Sequence, residues 1–139
     1  MNAAFVTVTQ ARLGLRNDTD VLAARRAVTA MSRDLKLRTL ECTKVVTAAS
    51  ELARNAVLHG RGGTMLLEHV RDGRRAGLRM TFEDQGPGIP DVDRALEDGF
   101  STNGGLGMGL PGARRLVAEF TISTTIGAGT RVIILHWKQ

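Results

Sequence analysis

The segment 77–84 alternates between apolar and polar side chains, and this alternation limits the fold more than any other feature of the sequence. The side chains of one parity are apolar, namely Leu78, Met80 and Phe82. Those of the other parity are polar, namely Arg79, Thr81 and Glu83. A strand with a period of two has one buried face and one solvated face, which favours an antiparallel sheet covered on one side.

The remaining patterns predict further strands and a layer of helices. Strands are expected at 5–9, 64–70, 77–84, 121–126 and 130–137. A first helix is expected to be capped by Asp18 or Thr19 and a second by Thr39, a short helix is expected from Asp91 to Glu97, and a last helix is expected to have Pro111 in its first turn. Gly60 is expected to end the second helix, and the last helix is expected to place Ala113, Leu116, Val117 and Phe120 on one face. The order β-α-α-β-β-α-loop-α-β-β predicts an α+β fold, a two-layer sandwich with helices on one face of a mainly antiparallel sheet.

Composition indicates one soluble globular domain. The chain has 139 residues, of which 42% are hydrophobic and 24% charged, so we expect residues 1–139 to form a single domain. No apolar run approaches the roughly 18 residues of a membrane span, so no membrane association is predicted. Cys42 is the only cysteine, which excludes an intramolecular disulfide framework and favours a reducing, cytoplasmic location.

The net charge of +5 is compatible with nucleic acid, anionic ligands or acidic partners, and it demonstrates none of them. The chain has no Tyr and one Trp, so it lacks the residues for an aromatic stacking platform. We therefore predict no nucleic-acid partner.

The second predicted helix carries Glu51 and Asn55, which are four residues apart and so lie one above the other. A carboxylate at the margin of a cleft can accept a proton, and an amide oxygen can ligate a hard cation such as Mg²⁺. The same pair also suits a solvated helix face, and the pair by itself does not decide between the two interpretations.

A second candidate site follows the alternating strand. Asp84 continues the parity of the apolar side chains and is expected to point to the covered face, where a carboxylate without a partner is costly. Gly86 and Gly88 allow a ligand to approach the backbone closely. Such a carboxylate suits the exocyclic amine of adenine, while a turn capped by its own Asp explains the same residues equally well.

The third candidate is the glycine-rich segment 104–112, which ends at a predicted helix start. Its backbone N–H groups and the helix N-terminus suit phosphate. Gly107, Gly109 and Gly112 match G-x-G-x-x-G, but no strand precedes them and no acidic residue lies about 20 positions on, which excludes a Rossmann site. A surface loop is the alternative.

Taken in chain order, these three segments resemble the N, G1 and G2 boxes of the GHKL ATPase and kinase superfamily. The boxes are Glu51-x-x-x-Asn55, Asp84-x-Gly86-x-Gly88 and Gly105-x-Gly107-x-Gly109. The segment Gly127-Ala128-Gly129-Thr130 resembles the closing G-x-G-T turn of that superfamily. Because the chain is short, the resemblance narrows to the small bacterial anti-sigma-type serine/threonine kinases.

The resemblance implies the Bergerat-type nucleotide fold and a role for each matching residue. Asp84 would bind the adenine amine with help from Thr130, Asn55 would ligate Mg²⁺, and Glu51 would take the proton of an incoming serine. The phosphates of ATP would be enclosed by Gly105, Leu106, Gly107, Met108 and Gly109, with Gly86 and Gly88 beside the base. No basic residue lies between Gly99 and Ala113, so Arg114 or backbone N–H groups are the candidates for the γ-phosphate.

The resemblance also implies partners. The acceptor would be a serine of a STAS-domain antagonist or stressosome scaffold protein in a stress-response pathway, and the released kinase would activate a PP2C-type phosphatase. The run Asn55–Gly60 is similar to the sigma-binding branch of the family. An anti-sigma factor that sequesters a sigma factor with ATP bound is therefore the alternative, and homodimer formation is left open.

Overall fold

The structure is a computed structural model that describes residues 5–97 and 109–139. The strands are β1 (Phe5–Leu15), β2 (Gly63–Asp72), β3 (Arg75–Asp84), β4 (Glu119–Thr125) and β5 (Gly129–Trp137). The helices are α1 (Asp18–Asp34), α2 (Thr39–Leu58), α3 (Val92–Ala95) and α4 (Gly109–Arg115). The order of these elements along the chain is the predicted one.

The five strands form one sheet in the order β1-β2-β3-β5-β4, and every pairing is antiparallel. The alternating strand that led to this prediction is β3, at the centre. Its register places Phe82 opposite Met65 on one side and opposite Val132 on the other. This row of apolar side chains lies on the face that the helices cover.

The helices α1 and α2 pack on that face and complete a two-layer sandwich. Helix side chains such as Val28, Val45 and Leu52 form one core with Met80 and Ile134 of the sheet. All five are at most 2% exposed. The predicted α+β sandwich with helices on one face is confirmed.

The first strand is longer than predicted, because β1 continues past residue 9 to Leu15. The register with β2 shifts between Thr7 and Thr9, as at a β-bulge. A bulge inserts one residue and reverses the parity that follows it, so the period of two is interrupted. Beyond the bulge, Leu13 and Leu15 contribute to the core.

The helix boundaries agree with the predictions to within a few residues. Helix α1 begins at Asp18, and its cap is the preceding Asn17, whose side chain accepts from the backbone N–H of Asp20 at 2.9 Å. Thr39 was expected to cap helix α2, but it is the first residue of that helix, and the cap is Arg38. Helix α2 ends at Leu58, two residues before Gly60. Helix α3 covers only Val92–Ala95 of the predicted 91–97.

The prediction for the last helix was wrong at its C-terminal end. Helix α4 stops at Arg115, and the backbone N–H of Leu116 bonds the Ala113 carbonyl at 3.1 Å, a tighter turn that ends the helix. Phe120 therefore belongs to β4 and packs against the core from the sheet. Phe120 has the spacing of a helical apolar residue, but it is the first inward-facing residue of β4.

A buried ionisable pair joins the start of α2 to the end of β5. Glu41 and His136 are 3% and 5% exposed, and His136 Nε2 lies 2.8 Å from Glu41 Oε1. The backbone N–H groups of Arg38 and Gln139 donate to the same carboxylate, each at 2.9 Å. The Glu41 carboxylate is thus satisfied from three sides, as a buried charge requires. The sequence analysis did not find this pair.

The pair predicts a loss of stability in acid. Burial raises the pKa of the Glu41 carboxyl, but the donors from Arg38, Gln139 and His136 outweigh burial and hold that pKa below its usual value. A carboxyl with a depressed pKa stabilises the fold above its unfolded-state pKa, and the stabilisation is lost as the pH falls through the folded-state value. We expect Glu41→Gln to cost about 1–3 kcal/mol of unfolding free energy at pH 7.

Urea unfolding of both proteins from pH 7 to pH 3.5 measures this effect. The difference between wild type and Glu41→Gln should shrink below about pH 4.5, where the Glu41 carboxyl of the unfolded chain begins to be protonated. The exposed Glu97 provides the control, and Glu97→Gln should keep the wild-type pH dependence. A Glu41→Gln variant with the full wild-type acid sensitivity would contradict the assignment.

Candidate active site

Asp84 lies at the end of β3, opposite Gly63 of β2 and Thr130 of β5. Its Oδ1 accepts from the backbone N–H of Gly86 at 2.9 Å and from that of Thr130 at 3.2 Å. The bond to Gly86 is the turn cap that the sequence allowed. The bond to Thr130 is not part of that turn. It holds the Asp84 carboxylate against the neighbouring strand β5. With Oδ1 holding both donors, Oδ2 is the oxygen left to accept from a ligand.

Close backbone packing brings the end of α2 against Asp84. A Cβ added at Gly60 would lie 2.4–2.5 Å from the Asp84 side chain, and one added at Gly86 would lie 2.7 Å from Gly60 Cα. No side chain fits between these segments, so glycine is required at both positions. This packing sets Asp84 beside the C-terminal turn of the helix that carries Glu51 and Asn55.

Glu51 and Asn55 lie on the same side of α2, as their spacing predicted. Both are only partly exposed. Arg54 Nη1 lies 3.3 Å from Glu51 Oε1, and the side chain of Arg54 is 46% exposed. An ion pair this exposed contributes little to stability, but it places a guanidinium next to the carboxylate. The sequence analysis did not anticipate this pair, although Glu51 and Arg54 have the i, i+3 spacing that allows it.

The N-terminal turn of α4 lies next to Asn55. A Cβ added at Gly109 would be 3.4 Å from Asn55 Nδ2 and 3.6 Å from Asn55 Oδ1. The structure therefore brings the end of the predicted phosphate segment to the predicted Mg²⁺ ligand. Gly105, Leu106, Gly107 and Met108 lie outside the described residues.

The residues around Asn55 fit Mg²⁺ carried by a nucleotide. Within residues 5–97 and 109–139, no group of three or more His, Cys, Asp or Glu side chains could hold a metal ion by itself. Mg²⁺ usually keeps several waters and is held by one or two protein oxygens together with substrate phosphates. The Asn55 amide oxygen beside a helix start fits that mode.

Thr130 and Thr124 meet on the same side of Asp84. Their hydroxyl oxygens are 3.0 Å apart, and the Thr124 hydroxyl accepts from the backbone N–H of Ile89 at 2.9 Å. Gly88 has a φ of 82°, and a Cβ there would lie 2.6 Å from the Thr125 carbonyl oxygen. The turn after β3 is therefore pressed onto β4. The sequence analysis missed Thr124, although it shares the inward parity of Ile122.

Similarity to known proteins shows the family to which the chain belongs. Residues 42–139 match the family described as histidine kinase-, DNA gyrase B-, and HSP90-like ATPase. The chain therefore belongs to this family of ATPases, as the three boxes indicated, and ATP is the nucleotide that the family implies. In the described part of the chain, no helix is long and apolar enough to cross a membrane.

Within that family the chain resembles a protein kinase. It is 41% identical over 130 residues to the serine/threonine-protein kinase RsbT of Bacillus subtilis (strain 168), covering 94% of this chain and 98% of RsbT. It is 30% identical to the anti-sigma F factor of Geobacillus stearothermophilus over 80% of each chain. The chain is thus a homologue of a serine/threonine kinase, and its similarity to the sigma-binding branch is more distant.

Solved structures show the same fold. The RsbU and RsbW domains of Rv1364c from Mycobacterium tuberculosis superpose with a TM-score of 0.67 at 20% identity, over 95% of this chain and 34% of that one. The mycobacterial sensor histidine kinase MprB gives a TM-score of 0.56 at 18% identity, over 94% of this chain and 99% of that one. At these identities the similarity concerns the fold.

Proposed function

We propose that the chain is an ATP-dependent protein serine/threonine kinase in a partner-switching pathway that regulates a sigma factor. The observation that carries the proposal is the 41% identity to RsbT over nearly the whole of both chains. The juxtaposition of Asp84, Gly60 and the end of α2 supports it, because the carboxylate proposed to bind adenine then lies beside the helix with Glu51 and Asn55.

In this proposal each residue of the cleft has a separate task. Asp84 accepts from the adenine amine, and Thr130 assists at the same edge of the base. The Asn55 amide oxygen would hold Mg²⁺, which supplies positive charge to the phosphate oxygens when bound. Gly109 and the preceding residues, Gly105, Leu106, Gly107 and Met108, would surround the phosphates. Gly86 and Gly88 pack closely against Gly60 and Thr125, and in this role they would hold the turn beside the base.

Glu51 is the proposed general base. The serine oxygen forms a bond to the γ-phosphorus, the bond from that phosphorus to the β,γ-bridging oxygen breaks, and ADP leaves. The hydroxyl proton passes to the Glu51 carboxylate. Phosphoryl transfer requires mainly positioning and charge neutralisation, so a single positioned base is sufficient. Arg54, 3.3 Å from Glu51, would restrict the orientation of that base.

The proposed acceptor is a serine of a STAS-domain antagonist or scaffold protein in the cytoplasm. The proposed second partner is a PP2C-type phosphatase that the released kinase activates. Both are carried over from the relationship to RsbT.

A second candidate is an anti-sigma factor that sequesters a sigma factor while ATP is bound. The observation that favours it is the 30% identity to anti-sigma F factor, together with the run Asn55–Gly60. Purification from the native organism discriminates the two, since an anti-sigma factor would retain a sigma factor and the kinase would retain STAS proteins.

The direct test is transfer of labelled phosphate. We expect the chain, mixed with Mg²⁺, γ-³²P-ATP and a STAS-domain protein encoded nearby in its genome, to label that protein on serine. Omitting Mg²⁺ should abolish the label. If the chain binds ATP but labels no STAS protein, the result favours the anti-sigma factor. If the chain does not bind ATP, the result contradicts both candidates.

A further inference from the structure

Thr124 is a partly buried side chain on β4 that the proposed mechanism does not use. Its hydroxyl oxygen lies 2.9 Å from Ile89 N, 3.2 Å from the Gly129 carbonyl oxygen and 3.0 Å from Thr130 Oγ1. These three atoms belong to the turn after β3 and to the start of β5. One side chain thus joins the two segments that flank Asp84.

When all three contacts are hydrogen bonds, the hydrogen count gives their direction. A threonine hydroxyl donates one proton and accepts at two lone pairs. One arrangement satisfies all three contacts: Thr124 donates to Gly129, and it accepts from the N–H of Ile89 and from the hydroxyl of Thr130. Thr130 then has no proton left, so it can only accept from a ligand.

The direction of these bonds sets the chemistry of the base pocket. Asp84 Oδ1 holds the N–H groups of Gly86 and Thr130, which leaves Oδ2 as an acceptor. Thr130 Oγ1 is an acceptor as well, because its proton goes to Thr124. A carboxylate oxygen and a hydroxyl oxygen that both accept match an amino group or a bridging water, and they do not match a carbonyl oxygen. Without the Thr124 hydroxyl, Thr130 is free to rotate and to donate instead.

The turn depends on the same hydroxyl. A Cβ at Gly88 would lie 2.6 Å from the Thr125 carbonyl oxygen and 3.1 Å from Thr124 Oγ1, so this segment follows β4 closely. At this contact the backbone N–H of Ile89 donates to the Thr124 hydroxyl. Loss of the hydroxyl removes that bond as well as the one to Thr130.

We propose that Thr124 is a positioning residue for the nucleotide base, which acts by holding Thr130 as an acceptor and the turn at 86–89 in place. The inference rests on the proposed use of ATP and extends it to a residue outside the sequence motifs. Its effect is on nucleotide affinity, because Thr124 lies on the base side of the cleft and not on the side of Glu51.

The test compares Thr124→Val, which removes the hydroxyl at similar volume, with Thr124→Ser, which keeps it. We expect calorimetry with Mg·ATP to give a Kd about tenfold higher for Thr124→Val and within about threefold of wild type for Thr124→Ser. KM for ATP should rise accordingly, while kcat changes less than about threefold. Thr121, exposed on the other face of β4, is the matched control, and Thr121→Val should bind like wild type.

A second nucleotide separates positioning from general damage. Purine riboside triphosphate lacks the 6-amino group, so the penalty of Thr124→Val should be smaller for it than for ATP, as in a double-mutant cycle. Three outcomes would each overturn the proposal. The Kd of Thr124→Val could equal that of wild type, its increase could be the same for both nucleotides, or the increase could be the same for Thr124→Val and Thr124→Ser. If Thr124→Val does not fold, Thr124→Ala serves as the hydroxyl-free variant in the same comparison.

These readouts separate the inference from the proposed kinase activity. A wild-type protein that binds ATP but labels no STAS protein leaves the Thr124 comparison intact and contradicts the kinase. A wild-type protein that labels its acceptor, with Thr124→Val binding ATP normally, contradicts the role of Thr124 alone.

Discussion

Glu51→Gln should abolish phosphoryl transfer to the acceptor serine while ATP still binds with near wild-type affinity. The substitution keeps the size of the side chain and removes its ability to take the serine proton. A positioned general base contributes about 10²–10⁴-fold to the rate, and we expect a loss in that range in kcat. Radiolabel transfer measures the rate, and calorimetry measures ATP binding.

The neighbouring arginine provides the control for this experiment. Arg54 contacts Glu51, so Glu51→Gln also replaces the charged acceptor of this guanidinium by a neutral one. Arg54→Ala releases Glu51 without removing the base, and its rate should fall much less than that of Glu51→Gln. Transfer at more than about a tenth of the wild-type rate in Glu51→Gln would exclude Glu51 as the base.

Asp84→Asn should lose ATP while the protein remains folded. The amide oxygen of the new side chain can still accept from the N–H groups of Gly86 and Thr130. Its NH₂ group then replaces Oδ2 and presents a donor to the amine of adenine, which is also a donor. We expect Kd for ATP to rise about 10–100-fold, which corresponds to about 1.5–3 kcal/mol for a hydrogen bond to a charged group.

Calorimetry with ATP and thermal unfolding without nucleotide test this expectation together. Glu83, the exposed neighbour on the opposite parity of β3, is the control, and Glu83→Gln should bind ATP normally. Unchanged affinity in Asp84→Asn would exclude the adenine assignment. A large fall in melting temperature in the absence of nucleotide would instead assign Asp84 a structural role at the turn.

Local pattern was sufficient to predict the architecture and the side of the sheet on which the candidate site residues lie. The parity of Leu78, Met80 and Phe82 extends to Asp84, and the structure pairs Asp84 with Thr130 across the sheet. The spacing of Glu51 and Asn55 likewise fixed their common side of α2. These relations depend on the period of a single strand or helix, which the sequence contains directly.

Relations between distant segments could not be predicted in the same way. Glu41 and His136 are 95 positions apart, and Thr124 meets Ile89 across 35 positions. Such contacts depend on strand order and register, which a single sequence does not specify. The bulge after Thr7 also could not be predicted from the sequence pattern. One inserted residue reverses the alternation of side chains on which the prediction of the first strand depended.

The hydrogen bond between Glu41 and His136 also affects the position of the far end of α2. Glu41 is in the first turn of the helix and Asn55 is 14 residues later, about 21 Å along the helix axis at the usual rise. His136 and Thr130 likewise lie near opposite ends of their element, the strand β5. Because Glu41 is held by His136, a shift of α2 along the strand would break a buried hydrogen bond of the Glu41 carboxylate. The spacing between Asn55 and Thr130 is therefore held from a point remote from both, and in the proposed kinase this spacing would set the distance between the Mg²⁺ ligand and the base pocket.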